Sequence, residues 1–224
     1  MWHAFDANAP YINALGNTIS ARLQRTIESN GQACIAVSGG RSPIALFDRL
    51  SRCDINWEKI HVTLVDERFV APDDEDSNER LVRDHLLVNQ ARRAKFTGLV
   101  TDPASILNCV ERANQAIQSV NLAILGMGDD GHTASLFPGA PQLAEALSLE
   151  QTHRYMRITP PAAAHERISM TLAALLHAEQ LILAISGPHK RKIYEQAAQK
   201  RTPELPVSFL ITQSLAPLDV YWHA

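Results

Sequence analysis

The amino-acid sequence predicts an α/β fold: a mostly parallel, open sheet between helix layers, with residues 1–224 forming one domain. Three observations carry this. Short apolar runs alternate along the chain with stretches of helical period. The runs are continuously apolar rather than alternating, as strands covered on both faces require. And 224 residues, 46% of them hydrophobic, are enough to bury one core of this kind.

The elements follow in order. Ile12, Leu15, Ile19, Leu23 and Ile27 recur every three or four residues, so a helix runs from about Ala9 to Ser29 and ends at Asn30-Gly31. Cys34 to Val37 is a strand. After Ser38-Gly39-Gly40-Arg41, the pair Ser42-Pro43 reads as the N-cap and first position of a helix reaching Leu50. Ile60 to Val65 is a β-branched strand ending in Asp66-Glu67-Arg68. The acidic run Asp73 to Asp76 lacks the glycine and ligand pattern of a calcium loop, and reads as a surface loop and cap before a helix carrying Leu81, Val82, His85 and Leu86. Asp102-Pro103 opens a helix with Ile106, Val110, Ala113 and Ile117 on one face. That helix feeds a buried strand, Asn121 to Leu125. Tyr155 to Ile158 is a further strand, and Arg167 to Thr171 precedes an apolar helix, Leu172 to His177. Leu181 to Ile185 is a fully apolar strand, followed by Ser186-Gly-Pro-His-Lys190 and a helix from Arg191 to Lys200. Pro206 to Ile211 is the last strand, and the rest is tail.

Bulk properties exclude several function classes. A net charge of -3 gives no attraction to nucleic acid or an anionic membrane. Cys34, Cys53 and Cys109 are an odd count without C-x-x-C spacing, which argues against a disulfide framework or zinc ribbon and for a reducing compartment. The first residues show neither the basic nor the apolar segment of a secretion signal. The longest apolar stretch, Met170 to Ile185, is interrupted by His177, Glu179 and Gln180, so no membrane span is read. The expected protein is soluble and cytoplasmic, with a small molecule as its partner.

In an open parallel sheet, ligands bind beyond the carboxyl ends of the strands. Four strands deliver unusual residues there: Ser38-Gly39-Gly40, Asp66-Glu67-Arg68, Gly126-Met-Gly-Asp-Asp-Gly-His132 and Ser186-Gly-Pro-His-Lys190. The third sets Asp129, Asp130 and His132 into one glycine turn. Imidazole titrates near neutrality, and a neighbouring carboxylate can orient it to take a proton from water. Either aspartate can serve from sequence alone. The glycine pair before a helix start offers backbone N–H groups to an anion. It is not a Walker A loop, and Ala36 stands where a nucleophile elbow needs glycine, so Ser38 is not read as a nucleophile. Gly126 to Gly131 matches G-x-G-x-x-G in form, but its two carboxylates would face a pyrophosphate with the wrong sign. The scattered histidines give no zinc pattern.

The segments Ser38-Gly-Gly-Arg-Ser-Pro43, Val65-Asp-Glu-Arg-Phe69, Ser77-Asn-Glu-Arg80, Gly126-Met-Gly-Asp-Asp-Gly-His-Thr-Ala-Ser-Leu-Phe-Pro138 and Arg167-Ile-Ser-Met-Thr171, in this order, resemble the 6-phosphogluconolactonases of α/β type. The resemblance runs from about Gly31 to Phe209. It implies the fold of glucosamine-6-phosphate deaminases and ribose-5-phosphate isomerase, and hydrolysis of 6-phosphoglucono-1,5-lactone without cofactor or metal. By the same resemblance His132 is the general base, supported by Asp130. Arg68 and Lys190, with the Ser38, Gly39 and Gly40 backbone, hold the phosphate, while Asp66 and Gly131 contact substrate. A monomer or weak homodimer is expected. Two alternatives stand beside this reading. In the sister deaminases the histidine loop continues into a segment with a glutamate, whereas Ala134-Ser-Leu-Phe-Pro138 has no acid. A non-catalytic phosphosugar-binding module would have no use for an intact Asp130/His132 pair.

Overall fold

The computed structural model describes residues 1–117 and 119–224. The chain begins with β1 (Trp2–Phe5) and the long α1 (Asn8–Asn30), which buries Leu15, Ile19 and Leu23 and ends at Gly31 in a left-handed turn (φ 77°). Then come β2 (Ala33–Val37), α2 (Ile44–Leu50), β3 (Ile60–Leu64), β4 (Asp66–Arg68), α3 (Asn78–His85) and β5 (Lys95–Thr97). The second half holds α4 (Ile106–Ala116), β6 (Leu122–Leu125), α5 (Leu143–Ala146), β7 (Tyr155–Ile158), β8 (Arg167–Met170), α6 (Leu172–Leu176), β9 (Gln180–Ser186), α7 (Gly187–Ala197), α8 (Val207–Ile211) and β10 (Leu218–His223).

Seven strands form one sheet in the order β1-β10-β9-β6-β2-β3-β5, parallel throughout. All of β2 and β6 is buried, which is why their sequences are unbroken apolar runs rather than alternating ones. From β2 the chain steps outward to β3 and β5, then returns to the other side of β2 at β6 and continues to β9 and β10. This reversal opens a crevice beyond the carboxyl ends of β2 and β6. The four strands that end in unusual residues, β9, β6, β2 and β3, are the four consecutive central ones.

A second, antiparallel sheet, β4-β8-β7, hangs from the end of β3. Val65 joins the two: its N–H donates to Val37 O (2.9 Å), and its own carbonyl accepts from Met170 N (2.9 Å). Asp66-Glu67-Arg68 is therefore a strand in its own right, not only a charged lip.

The chain departs from the sequence reading at its ends. Pro206 to Ile211, read as the last strand, is instead the short helix α8, with Val207 and Leu210 facing the core. A five-residue apolar run does not reveal its own period, and Pro206 before it suits a helix start. The last strand is β10, in the stretch read as tail, and β1 was not anticipated. Four- and six-residue strands at the chain ends carry little periodic signal, and each is fixed by its parallel neighbour. α7 begins at Gly187 rather than Arg191. At α2, Pro43 rather than Ser42 takes the cap position, in helical conformation and without a side-chain cap.

Candidate active site

The glycine turn after β6 is built from within. Gly128 N–H donates to His132 O (2.9 Å), Gly131 N–H donates to Gly128 O (3.1 Å), and Gly131 takes a left-handed φ of 76°. Asp130 Oδ1 then accepts twice from one residue, from the His132 backbone N–H (3.1 Å) and from its Nδ1 (2.5 Å). The choice between the two aspartates falls to Asp130. With Nδ1 donating to the carboxylate, Nε2 carries the lone pair, the tautomer a general base needs. Burial raises the Asp130 pKa, but the hydrogen bond from His132 and the charge on that imidazole outweigh it and hold the carboxyl below its ordinary value.

The imidazole is fixed on two sides. The Phe137 ring lies 4.4 Å away, centroid to centroid. On the other side is Gly128, where a Cβ would sit 2.2 Å from the His132 ring. The loop continues through Ala134, a non-glycine residue with φ 50°, to Ser135, whose Oγ donates to Asp66 Oδ2 (2.5 Å). Backbone strain of this kind persists only where the surroundings enforce it. Here the next residue, Ser135, is tied to the second sheet at two points, by Asp66 and by Ser169 Oγ, which accepts from its N–H (3.1 Å).

That sheet supplies the positive wall. Arg68 and Arg167 are direct cross-strand partners in the antiparallel β4–β8 pair, so their side chains share one face. Like charges placed opposite one another destabilise a ladder. Both guanidinium groups bind carbonyls: Arg68 Nη1 donates to Asp76 O, and Arg167 Nη1 to Ala164 O (2.6 Å) and His165 O (2.7 Å). Burial, and then Arg68, depress the Arg167 pKa. Neither guanidinium forms an ion pair with a carboxylate among the described residues, although Asp66, Glu67 and Asp76 act on Arg167 in the opposite sense, and two neighbouring cations so placed suit an anion. Lys190 adds a third from α7, its Nζ donating to Met127 O.

Ser38, Gly39, Gly40, Asp66, Arg68, His132 and Lys190 all line one crevice of about 350 Å³, a size suited to a small metabolite. Asp130 and Gly131 do not lie on its wall. Asp130 stands behind His132, and a Cβ on Gly131 would press within 2.6 Å of Leu205, so this glycine serves the turn. Ser38 N–H extends the sheet by donating to Ile124 O (3.0 Å). It is therefore spent, and Gly39 and Gly40 (φ 87°) carry the free backbone of the cradle. Ser38 Oγ is buried without a hydrogen-bond partner among the described residues, which leaves it able to bind a ligand oxygen. Sequence reasoning gave no role to Arg167, Asn78 or Phe137, which also line the crevice. For Arg167 the signal was present, an arginine opening a strand that is buried throughout, but its partner was not. Among the described residues no three His, Cys, Asp or Glu side chains converge to hold a metal, and no helix is long and apolar enough to cross a membrane.

Known proteins resemble this chain in sequence and fold. The family model for glucosamine-6-phosphate isomerases/6-phosphogluconolactonase matches residues 6–222. A 6-phosphogluconolactonase of Neisseria meningitidis (serogroup A) is 37% identical over 99% of this chain and 98% of its own. The crystal structure of a 6-phosphogluconolactonase from Shewanella baltica OS155 superposes with a TM-score of 0.93 at 35% identity, covering 100% of this chain and 97% of that one. A monomeric glucosamine-6-phosphate deaminase, 17% identical, superposes with a TM-score of 0.80 over 99% of this chain and 96% of its own, a likeness of architecture alone.

Proposed function

The chain belongs to the glucosamine-6-phosphate isomerase/6-phosphogluconolactonase family, and from that premise we propose how its crevice hydrolyses 6-phospho-D-glucono-1,5-lactone to 6-phosphogluconate in the oxidative branch of the pentose phosphate pathway. The observation that carries the reading is His132, backed by Asp130, standing in the same crevice as the Arg68–Arg167 pair.

Arg68, Arg167 and Lys190, with the Gly39 and Gly40 N–H groups, hold the phosphate by charge-assisted hydrogen bonds. Asp66 faces the sugar hydroxyls. His132 Nε2 takes a proton from water as the water oxygen attacks the lactone carbonyl, and Asp130 stabilises the imidazolium that forms. The carbonyl oxygen becomes an oxyanion. On its collapse the bond from C1 to the ring oxygen breaks, and His132 returns its proton to that oxygen. The new carboxylic acid then releases a proton to solvent. A δ-lactone is an activated ester, so one oriented base and a positioned water supply the acceleration without a covalent nucleophile. We place the enzyme in the cytoplasm, as a monomer or weak homodimer. The three cysteines support that placement, since each is a buried free thiol of the kind a reducing compartment maintains.

The test is proton release from freshly generated 6-phosphogluconolactone, corrected for spontaneous hydrolysis. Wild type is expected to release protons rapidly and His132→Ala at least about 100-fold more slowly, the scale of a lost general base. Wild-type release no faster than buffer, with ammonia formed from glucosamine 6-phosphate, would transfer the chain to the deaminase branch.

A further inference from the structure

The phosphate cradle is assembled from two separate sheets. Gly39 and Gly40 follow β2 of the parallel sheet, whereas Asp66 and Arg68 belong to β4 of the antiparallel one. The residue between them is Asn78, the first of α3, which is only 2% exposed yet reaches the crevice wall. Its Nδ2 donates to Asp66 O (2.8 Å). Its Oδ1 occupies the space beside Gly39, where a Cβ would come within 1.9 Å of it. One amide therefore touches both halves of the cradle.

Asn78 is itself seated by a buried carboxylate. Glu67, 1% exposed, accepts from the N–H groups of Asn78 (2.8 Å), Glu79 (2.7 Å) and Arg68 (2.7 Å), and from Ser77 Oγ (3.2 Å). These donors are the start of α3 and the residue that carries the phosphate-binding guanidinium, so the carboxylate fastens helix to strand at the helix's positive end. Burial pushes the Glu67 carboxyl up to about 7 against the pull of the backbone donors. Glu67 does not itself line the crevice.

We propose that Asn78, seated by Glu67, is a positioning residue that fixes the distance between the Gly39–Gly40 loop and the Asp66–Arg68 strand, and so sets how tightly the phosphorylated end of the substrate is held. The role rests on the assignment of the phosphate to this end of the crevice. It concerns binding rather than ring opening, because the amide touches neither His132 nor Asp130.

The experiment compares wild type, Asn78→Ala, Gly39→Ala, the double variant and Arg68→Ala, by steady-state kinetics on 6-phosphogluconolactone and by calorimetric binding of 6-phosphogluconate. Asn78→Ala is expected to raise KM and the product Kd about tenfold with kcat within about threefold, the pattern of lost uniform binding. Gly39→Ala does the same by pushing Asn78 aside, and the double variant is no worse than Asn78→Ala, as two mutations acting through one contact require. Any fall in kcat that matches the rise in KM overturns the role, as does an unchanged KM or strict additivity in the double variant. If Asn78→Ala does not fold, the Gly39→Ala result decides by the same KM-against-kcat criterion. If Arg68→Ala leaves KM and Kd unchanged, the phosphate assignment falls and takes this role with it. If only Arg68→Ala raises them, the assignment stands and Asn78 is excluded.

Discussion

The two walls of the crevice are built by opposite means. On the β6 side the pair proposed for catalysis is local and wet: Asp130 and His132 are two residues apart, with side chains 47% and 29% exposed. On the β4–β8 side the working residues come from opposite halves of the chain and are held by a ladder, with Asp66 9% and Arg167 7% exposed. The difference follows from the tasks. A base that activates water must sit where water arrives, and a glycine turn can orient it without help from afar. An anion grip must hold several cations together against their mutual repulsion, and only a packed scaffold does that.

The contrast sets the order of expected effects. Gly128→Ala strikes the local wall hardest, because its Cβ would fall 2.2 Å from the His132 ring. A loss of kcat approaching that of His132→Ala, about 100-fold, is expected, with 6-phosphogluconate binding retained. Wild-type turnover in that variant would show that the imidazole is not fixed from this side. Arg167→Ala strikes the other wall. Loss of a charge-assisted contact of about 1.5–3 kcal/mol raises KM by roughly 10- to 150-fold while kcat changes little. Equal effects on kcat would mean that the walls do not divide the labour.

The smallest effect is on stability. Glu67 has its folded pKa raised to about 7, above its unfolded value. Between the ordinary carboxylate range and about pH 7 the folded state binds the extra proton, so this group's contribution to stability falls as pH rises through that window. Glu67→Gln, followed by urea unfolding at several pH values, should remove that slope. It should also cost about 2 kcal/mol, because an amide NH2 would face N–H donors. A slope that survives the substitution belongs to another group.

The same contrast explains what was legible in the sequence. The four chemistry-bearing strand ends could be read because each is a short apolar run broken by glycine or charge, and the sheet order then makes them neighbours. The Asp130/His132 pair was readable in kind, since contact between residues two apart needs no knowledge of the fold. The choice of Asp130 over Asp129 was not, because it depends on one rotamer. Arg167 was invisible as a site residue for the reason that makes it effective: its meaning comes from lying opposite Arg68, and nothing in either segment announces the pairing. Gly131 shows the reverse case, a motif glycine whose backbone has a structural reason of its own. Its place in a functional motif suggested contact with substrate, and its left-handed backbone and the nearness of Leu205 give the glycine a reason that the motif alone did not show.

The pairing of β1 with β10 has a consequence for how the molecule is made. Trp2 to Phe5 are synthesised long before Val220 to His223, the residues with which they pair. Until β10 has been made, β1 has no strand to join, while the centre of the sheet can already assemble, because β2 and β3 are close neighbours along the chain. The seam closes only once β10 has been made, with Val220 N–H donating to Met1 O (2.7 Å). A stalled or prematurely released polypeptide would therefore leave β9 as an open sheet edge and the tryptophan at position 2 uncovered, a form that cellular quality control can distinguish from the finished enzyme.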